Sequence, residues 1–245
     1  MRFCAVFLGA LWCKLSVVIT LYRQLLGALN YVSVTSHPKI AMITSYMGKF
    51  VTFPHKSHYA CLLYIVGYLK YAVNKCICFT RGSSLLEGYA DSDWAGDTFT
   101  RYSRIGLVWF SLGGPIVWAS KLGKRIARST CEAEYYALGE CVAELYSLLD
   151  IFEELDAPTL KPVTINDDCT SVEAVTKGQA RPHLARHVDL DYRFVQDAYN
   201  DNMFKLRFID GTANVADIFT KYKAYTVLEF EQYTNILLAG RSTRA

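Results

Sequence analysis

The sequence predicts an α/β protein: a mixed five-stranded sheet with flanking helices, preceded by a small helical segment. Three observations lead there. Apolar residues recur at spacings of three and four through residues 21–80, and after residue 85 the period drops to two. Three strand-like runs then follow one another, and a Ser-x-x-Glu signal opens a long helical run. Beyond it, short apolar runs alternate with helical ones, which puts helices against a mixed sheet.

The chain has 245 residues, room for one ordinary domain plus an extra segment. With 52% apolar and 20% charged residues and only 6 Pro, it can bury a core and is not a disordered sequence. A net charge of +3 neither identifies nor excludes a partner for a local basic cluster. The 8 Cys show no Cys-x-x-Cys and no His at zinc-ligand spacing, so they read as small apolar residues in a reducing compartment.

Residues 1–20 form an apolar N-terminal segment of uncertain origin, either a targeting signal or a segment of unrelated origin joined to the globular part. A basic residue followed by an apolar run resembles a secretory leader, but Lys14 interrupts the run and no small-x-small cleavage site follows. The run is also too short for a membrane span of about 20 residues. An intracellular location, cytoplasmic or nuclear, with no stable membrane partner, is therefore expected.

Within residues 21–80, Leu21, Leu25, Ala28, Leu29 and Val32 form one helical stripe. Pro38 punctuates the chain and starts a second helix over residues 40–50, because proline costs little in a first turn. Pro54 breaks it, and residues 58–71 give a third. This segment carries no carboxylate pair; its role is packing or support.

The stretch 85–97 organises the rest. It reads as a strand with Leu86, Gly88 and Ala90 on one face and Glu87, Tyr89 and Asp91 on the other, so Asp91 and Asp93 share a side. Two aspartates on one side of a central strand call for an explanation, since aspartate forms strands poorly and is costly to bury. A divalent metal supplies one. Residues 102–110 and 116–120 read as a hairpin turning at Gly113, Gly114 and Pro115. Ser129 and Glu132 then cap a helix running to about residue 155, which places Glu134 in its first turn, inward, beside an apolar stripe. Residues 163–165 form a strand ending in Asn166, Asp167 and Asp168, followed by a short helix at 170–176 and a longer one at 185–200. Residues 203–209 alternate apolar and basic residues as a strand, and residues 213–221 form a short helix holding Asp217 among apolar neighbours.

Four acids thus stand at element ends or in apolar surroundings: Asp91, Glu134, Asp167 and Asp217. Phosphodiester hydrolysis needs an activated water and a stabilised leaving oxygen, and two Mg²⁺ about 3.5 to 4 Å apart provide both. Hard carboxylate oxygens are what magnesium selects. Lys121, Lys124, Arg125 and Arg128 cluster just before the long helix, as a nucleic-acid-binding stripe or as a solvated loop.

Four segments carry a family resemblance: residues 88–97 (Gly-Tyr-Ala-Asp-Ser-Asp-Trp-Ala-Gly-Asp), 129–138 (Ser-Thr-Cys-Glu-Ala-Glu-Tyr-Tyr-Ala-Leu), 186–189 (Arg-His-Val-Asp) and 216–221 (Ala-Asp-Ile-Phe-Thr-Lys). Together they resemble the ribonuclease H domain of copia-type LTR retrotransposon Pol polyproteins, over about residues 85–221. Residues 22–31 and 67–70 resemble the end of the reverse transcriptase of the same polyproteins. The resemblance implies a ribonuclease H fold, cleavage of the RNA strand of RNA–DNA hybrids, and two Mg²⁺, with Mn²⁺ as a substitute. It also implies the reverse transcriptase portion of a related polyprotein as a partner. The family's catalytic, metal-holding acids carry over to Asp91, Glu134, Asp167 and Asp217, with Asp93 and Asp168 as near-duplicates of the first and third. Asp168 stands where the family pattern has Asn. Residues 222–245 are then a C-terminal tail.

The polymerase Tyr-x-Asp-Asp signature is absent, so no polymerase activity is expected in this chain. That absence and the foreign N-terminus support an alternative: a catalytically inactive retroelement remnant that folds or binds nucleic acid without turnover. Blander readings also stand beside single residues. Asp93 and Asp97 fit turn acids as well as ligands, Trp94 and Trp118 fit a core, and His187 fits a structural hydrogen bond better than a proton shuttle.

Overall fold

A computed structural model describes residues 2–80, 86–157, 161–178, 186–221 and 227–240, with the side chains of 18–80, 86–157, 161–178, 191–221 and 228–238. Two compact units divide the chain, Met1–Cys76 and Ile77–Ala239.

The first unit is helical. Helix α1 (Arg2–Thr35) runs unbroken through the boundary expected at residue 20. A 3-10 turn at Pro38–Ile40 leads into α2 (Ala41–Met47), and α3 spans Lys56–Tyr71. Tyr22, Leu26 and Leu29 from α1 meet Ile40, Met47, Leu62 and Ile65 in a small core. The Tyr22 hydroxyl donates to the Met47 carbonyl at 2.8 Å, which satisfies its one polar atom inside that core. Among the described residues, no helix is long and apolar enough to cross a membrane.

The second unit holds the five-stranded sheet. Its strands are β1 (Glu87–Asp93), β2 (Arg104–Ser111), β3 (Gly114–Leu122), β4 (Val163–Asp167) and β5 (Phe204–Phe208), in the spatial order β3-β2-β1-β4-β5. The first three are antiparallel neighbours, whereas β1–β4 and β4–β5 are parallel. Strand β1 is therefore central, and the acid-rich stretch lies in the middle of the sheet. This is the mixed five-stranded sheet with flanking helices expected from the sequence.

Helix α4 (Thr130–Glu154) covers one face. The Ser129 hydroxyl accepts from the Glu132 N–H at 3.2 Å, while the Glu132 carboxylate reaches back one residue further than a capping box, to the Arg128 N–H at 2.8 Å. Leu138, Val142 and Leu145 of α4 pack with Leu107, Trp109 and Ile165 of the sheet. Trp109 is fully buried under Gly88, where a Cβ would come within 2.7 Å of the indole. Only glycine lets the central strand pass that ring. Helices α5 (Thr170–Thr176) and α6 (Arg186–Asn200) complete this side.

The segment expected as one short helix over 213–221 is instead two 3-10 turns, Gly211–Ala213 and Val215–Phe219. The tighter coil follows from its caps: Asp210 accepts from the Thr212 N–H at 2.9 Å and Asn214 accepts from the Ala216 N–H at 3.1 Å, restarting the chain after four residues. The unit also extends past the expected end at residue 221. Helix α7 (Val227–Leu237) buries Tyr233 and Leu237 and packs on β3 and the second 3-10 turn.

Candidate active site

Asp91, near the C-terminal end of β1, Glu134, one turn into α4, and Asp168, just past β4, bring one carboxylate oxygen each within 4.8 Å of one another. Their placement follows from the fold. Parallel neighbours β1 and β4 end on the same edge of the sheet, and the Ser129 cap starts α4 there.

Asp217 comes from the second 3-10 turn, and the two residues just past that turn reach Asp91. The Thr220 hydroxyl donates to Asp91 Oδ2, and Lys221 Nζ donates to Asp217 Oδ1 while standing 3.9 Å from Asp91 Oδ1. Gly106, the cross-strand partner of Asp91, leaves room for the turn. A Cβ there would lie 2.6 Å from Thr220 Cγ2 and 2.9 Å from the Ala216 carbonyl. Asn214 clamps the turn's start, its amide donating to the Ala90 carbonyl at 2.9 Å and to Asp168 Oδ1 at 3.4 Å.

Of the four acids expected from sequence, the cluster thus contains Asp91 and Glu134, with Asp217 attached through Lys221. The third position is filled by Asp168, the near-duplicate. Asp167 lies buried beside it, with Oδ1 accepting from the Cys169 N–H at 2.7 Å and Oδ2 without a hydrogen-bond partner. Glu134 Oε2 is likewise buried and unpartnered. Asp93 is half-buried, facing Arg104 across the strands. Asp97 is a turn acid, accepting from the N–H groups of Phe99 and Thr100 at 3.0 and 3.2 Å.

Burial dominates the electrostatics. It raises Asp91 to about 7, with the Lys221 ammonium pulling the other way and the charge of Asp217 adding to the rise. Burial raises Glu134 further, to about 10, helped by the charges of Asp91, Asp167 and Asp168. Asp167 is also raised by burial. Several carboxyls held away from water, two with an unused oxygen, resist ionising unless a cation offsets their charge. A hard divalent cation fits these all-oxygen donors.

The basic cluster is less available than its sequence suggests. Lys121 pairs with Glu140 at 3.0 Å and Arg125 with Asp191, while Lys124 and Arg128 are exposed. Lys121, Lys124 and Arg125 line a groove of about 590 Å³ with Tyr136 and Phe194. Trp94, expected in a core, is 46% exposed because its indole N–H reaches the Ala127 carbonyl at 3.0 Å in the loop before α4. Trp118 is half-buried on β3. The 186–189 motif opens α6, but the side chain of His187 lies outside the described residues, as does Leu85.

Sequence reasoning gave no role to Asn214, Thr220, Lys221 or Gly106. One signal was present: Asp217 and Lys221 stand four apart, where opposite charges meet on a helical turn. Gly106 had none, because its requirement comes from an element more than a hundred residues downstream.

No protein-family model matches the sequence. The chain is 32% identical over 200 residues, 82% of its length, to the retrovirus-related Pol polyprotein from transposon TNT 1-94 of Nicotiana tabacum. It is 27% identical over 211 residues to the Pol polyprotein from transposon RE1 of Arabidopsis thaliana. The chain spans only 15% and 14% of these polyproteins. It is also 35% identical over 124 residues to secreted RxLR effector protein 161 of Plasmopara viticola, covering 50% of this chain and 87% of that one. Among solved structures, LC11-RNase H1, isolated from compost, aligns with 56% of the chain and 94% of its own length at 15% identity and a TM-score of 0.43. By sequence, the chain belongs with the retrovirus-related Pol polyproteins of copia-type retrotransposons.

Proposed function

We propose that the second unit is a ribonuclease H that hydrolyses the RNA strand of RNA–DNA hybrids with two Mg²⁺ ions, Mn²⁺ serving as a substitute. The observation that supports it most is the convergence of Asp91, Glu134 and Asp168 at the edge where β1 and β4 end, with Asp217 linked to Asp91. Asp91 is central, adjoining both the Glu134–Asp168 side and the Asp217 side. Glu134 and Asp168 would hold one ion with it, Asp217 the other, and Asp167 would support the Glu134 side from its buried position. The bound ions would supply charge stabilisation at the scissile phosphate and a more acidic attacking water. Asn214 keeps Asp168 turned toward Asp91, and Thr220 fixes the Asp91 carboxylate. The groove beside Lys124 and Arg125 would carry the hybrid's phosphates, with Arg125 exchanging Asp191 for phosphate, and a polymerase partner would hold the rest of the duplex.

The test is cleavage of a labelled RNA–DNA hybrid by the full chain with Mg²⁺, with EDTA, and with Asp91→Asn. Metal-dependent cutting that the substitution abolishes is the expected result. A folded chain that binds the hybrid without cutting it would instead be a catalytically inactive remnant.

A further inference from the structure

Lys221 is placed unlike an ordinary surface lysine. Its side chain is one-third exposed, yet its ammonium pairs with Asp217, whose side chain is 5% exposed, and stands 3.9 Å from a carboxylate oxygen of Asp91, whose side chain is 2% exposed. Thr220, the preceding residue, donates to the other Asp91 oxygen. Beyond the Asn214 amide, the 3-10 turn is thus latched to the central strand by one cation and one hydroxyl, and the cation sits between two acids assigned above to metal.

We propose that Lys221 is a built-in occupant of the carboxylate cage, a positioning residue whose ammonium bridges Asp217 and Asp91 in the metal-free protein and competes with the divalent ion for them. The inference rests on the reading of these acids as a metal centre. Two consequences follow from electrostatics alone. Without metal, the ammonium offsets part of the repulsion among Asp91, Asp217 and Asp168 and keeps the turn docked. With metal, the same positive charge repels the incoming ion, so affinity is weaker than the four acids would otherwise give. The remaining exposure of the side chain gives the ammonium a route out to water while its stem stays packed.

The experiment is calorimetric titration of the full chain with Mn²⁺ at pH 8, comparing the native protein with Lys221→Met and Lys221→Arg, each checked for native circular dichroism and melting. Lys221→Met should melt lower without metal and bind Mn²⁺ about tenfold tighter, a change of about 1.4 kcal/mol. Lys221→Arg, which keeps the charge, should bind with native affinity. A lysine that only shaped the turn would, when removed, loosen the site and weaken binding. Unchanged or weaker Mn²⁺ binding by folded Lys221→Met therefore overturns the proposal while leaving the metal centre intact. Saturable binding by Lys221→Met alone would support it in its strongest form. Absence of binding in all three proteins would overturn the metal-centre reading and the competition with it.

Discussion

Replacing Asn214 with Ala removes a side chain that joins the sheet, the acid cluster and the 3-10 turn. Parallel pairing of β1 with β4 extends to Tyr89 and Asn166, and the Ala90 carbonyl, one residue further, receives the Asn214 amide at 2.9 Å. The same side chain accepts from the Ala216 N–H at 3.1 Å, and the residue is fully buried. The substitution leaves a buried acceptor and a buried donor without this partner, each at about 1–3 kcal/mol, with partial relief if water enters the space. The expected loss is therefore about 2–4 kcal/mol in the free energy of unfolding, measured by urea denaturation with an unchanged m-value. Hybrid cleavage should fall with it even where the protein remains folded, because Asp168 loses its amide donor and the turn bearing Asp217 loses its cap. A loss under about 1 kcal/mol would show that the turn docks through Phe219 and Ile218 packing and that the clamp is incidental.

Asp91→Asn and Glu134→Gln should each abolish metal-dependent cleavage without lowering the melting temperature of the metal-free protein, since each replaces a carboxyl that burial already disfavours ionising with a neutral group of the same shape; cleavage assays paired with thermal melts check this. Gly106→Ala should destabilise by about 1–3 kcal/mol and reduce cleavage, because the added methyl meets the Ala216 carbonyl and the Thr220 side chain below 3 Å. The pH dependence has a defined sign. Asp91 at about 7 and Glu134 at about 10 both lie above the roughly 4 of an unfolded carboxylate. Their contribution to stability is fully present below about pH 4 and is lost as pH rises through 7 and then 10, at up to about 1.4 kcal/mol per unit for each titrating group. Metal-free melting temperatures should therefore fall from pH 5 to pH 8, and Asp91→Asn should flatten that fall below pH 7. A metal-free protein whose stability rose over this range would refute the burial argument. Saturating Mg²⁺ should oppose the decline, because it binds the ionised form.

What was legible in the chain depended on how local each cause is. The helix over 170–176 and the capped start of α4 were readable because caps and periodicity act within a few residues. Asp91 and Glu134 were readable for a related reason: an acid inside an apolar pattern breaks the pattern that buries its neighbours, and the fold has to answer for it. The 3-10 form of the last segment was less legible, since it depends on two caps restarting the chain at close intervals. Helix α7 lies in what the sequence presents as a tail, yet Tyr233 and Leu237 stand four apart, the spacing of one buried helical face. Gly106 and the Asn214 clamp could not be read at all, since each answers a backbone that arrives from the far end of the domain.

The third acid shows where strand periodicity stops being a guide. Along β4, Ile165 is buried in the main core, Asn166 binds the Gly88 carbonyl and Arg207, and Asp167 is the last residue that the alternation assigns. Asp168 lies past the strand, where its direction depends on the turn into α5 and on the Asn214 amide. A run of two aspartates at a strand end therefore divides into one acid held by the sheet and one free to aim along its edge. The Cys169 N–H, which binds Asp167 Oδ1, reinforces the division by turning the chain immediately after the pair. If the division is functional, Asp168→Asn should weaken Mn²⁺ binding more than Asp167→Asn, while Asp167→Asn should act mainly on stability by relieving a buried charge. The opposite ranking would return the ligand role to the strand residue and make Asp168 its neighbour.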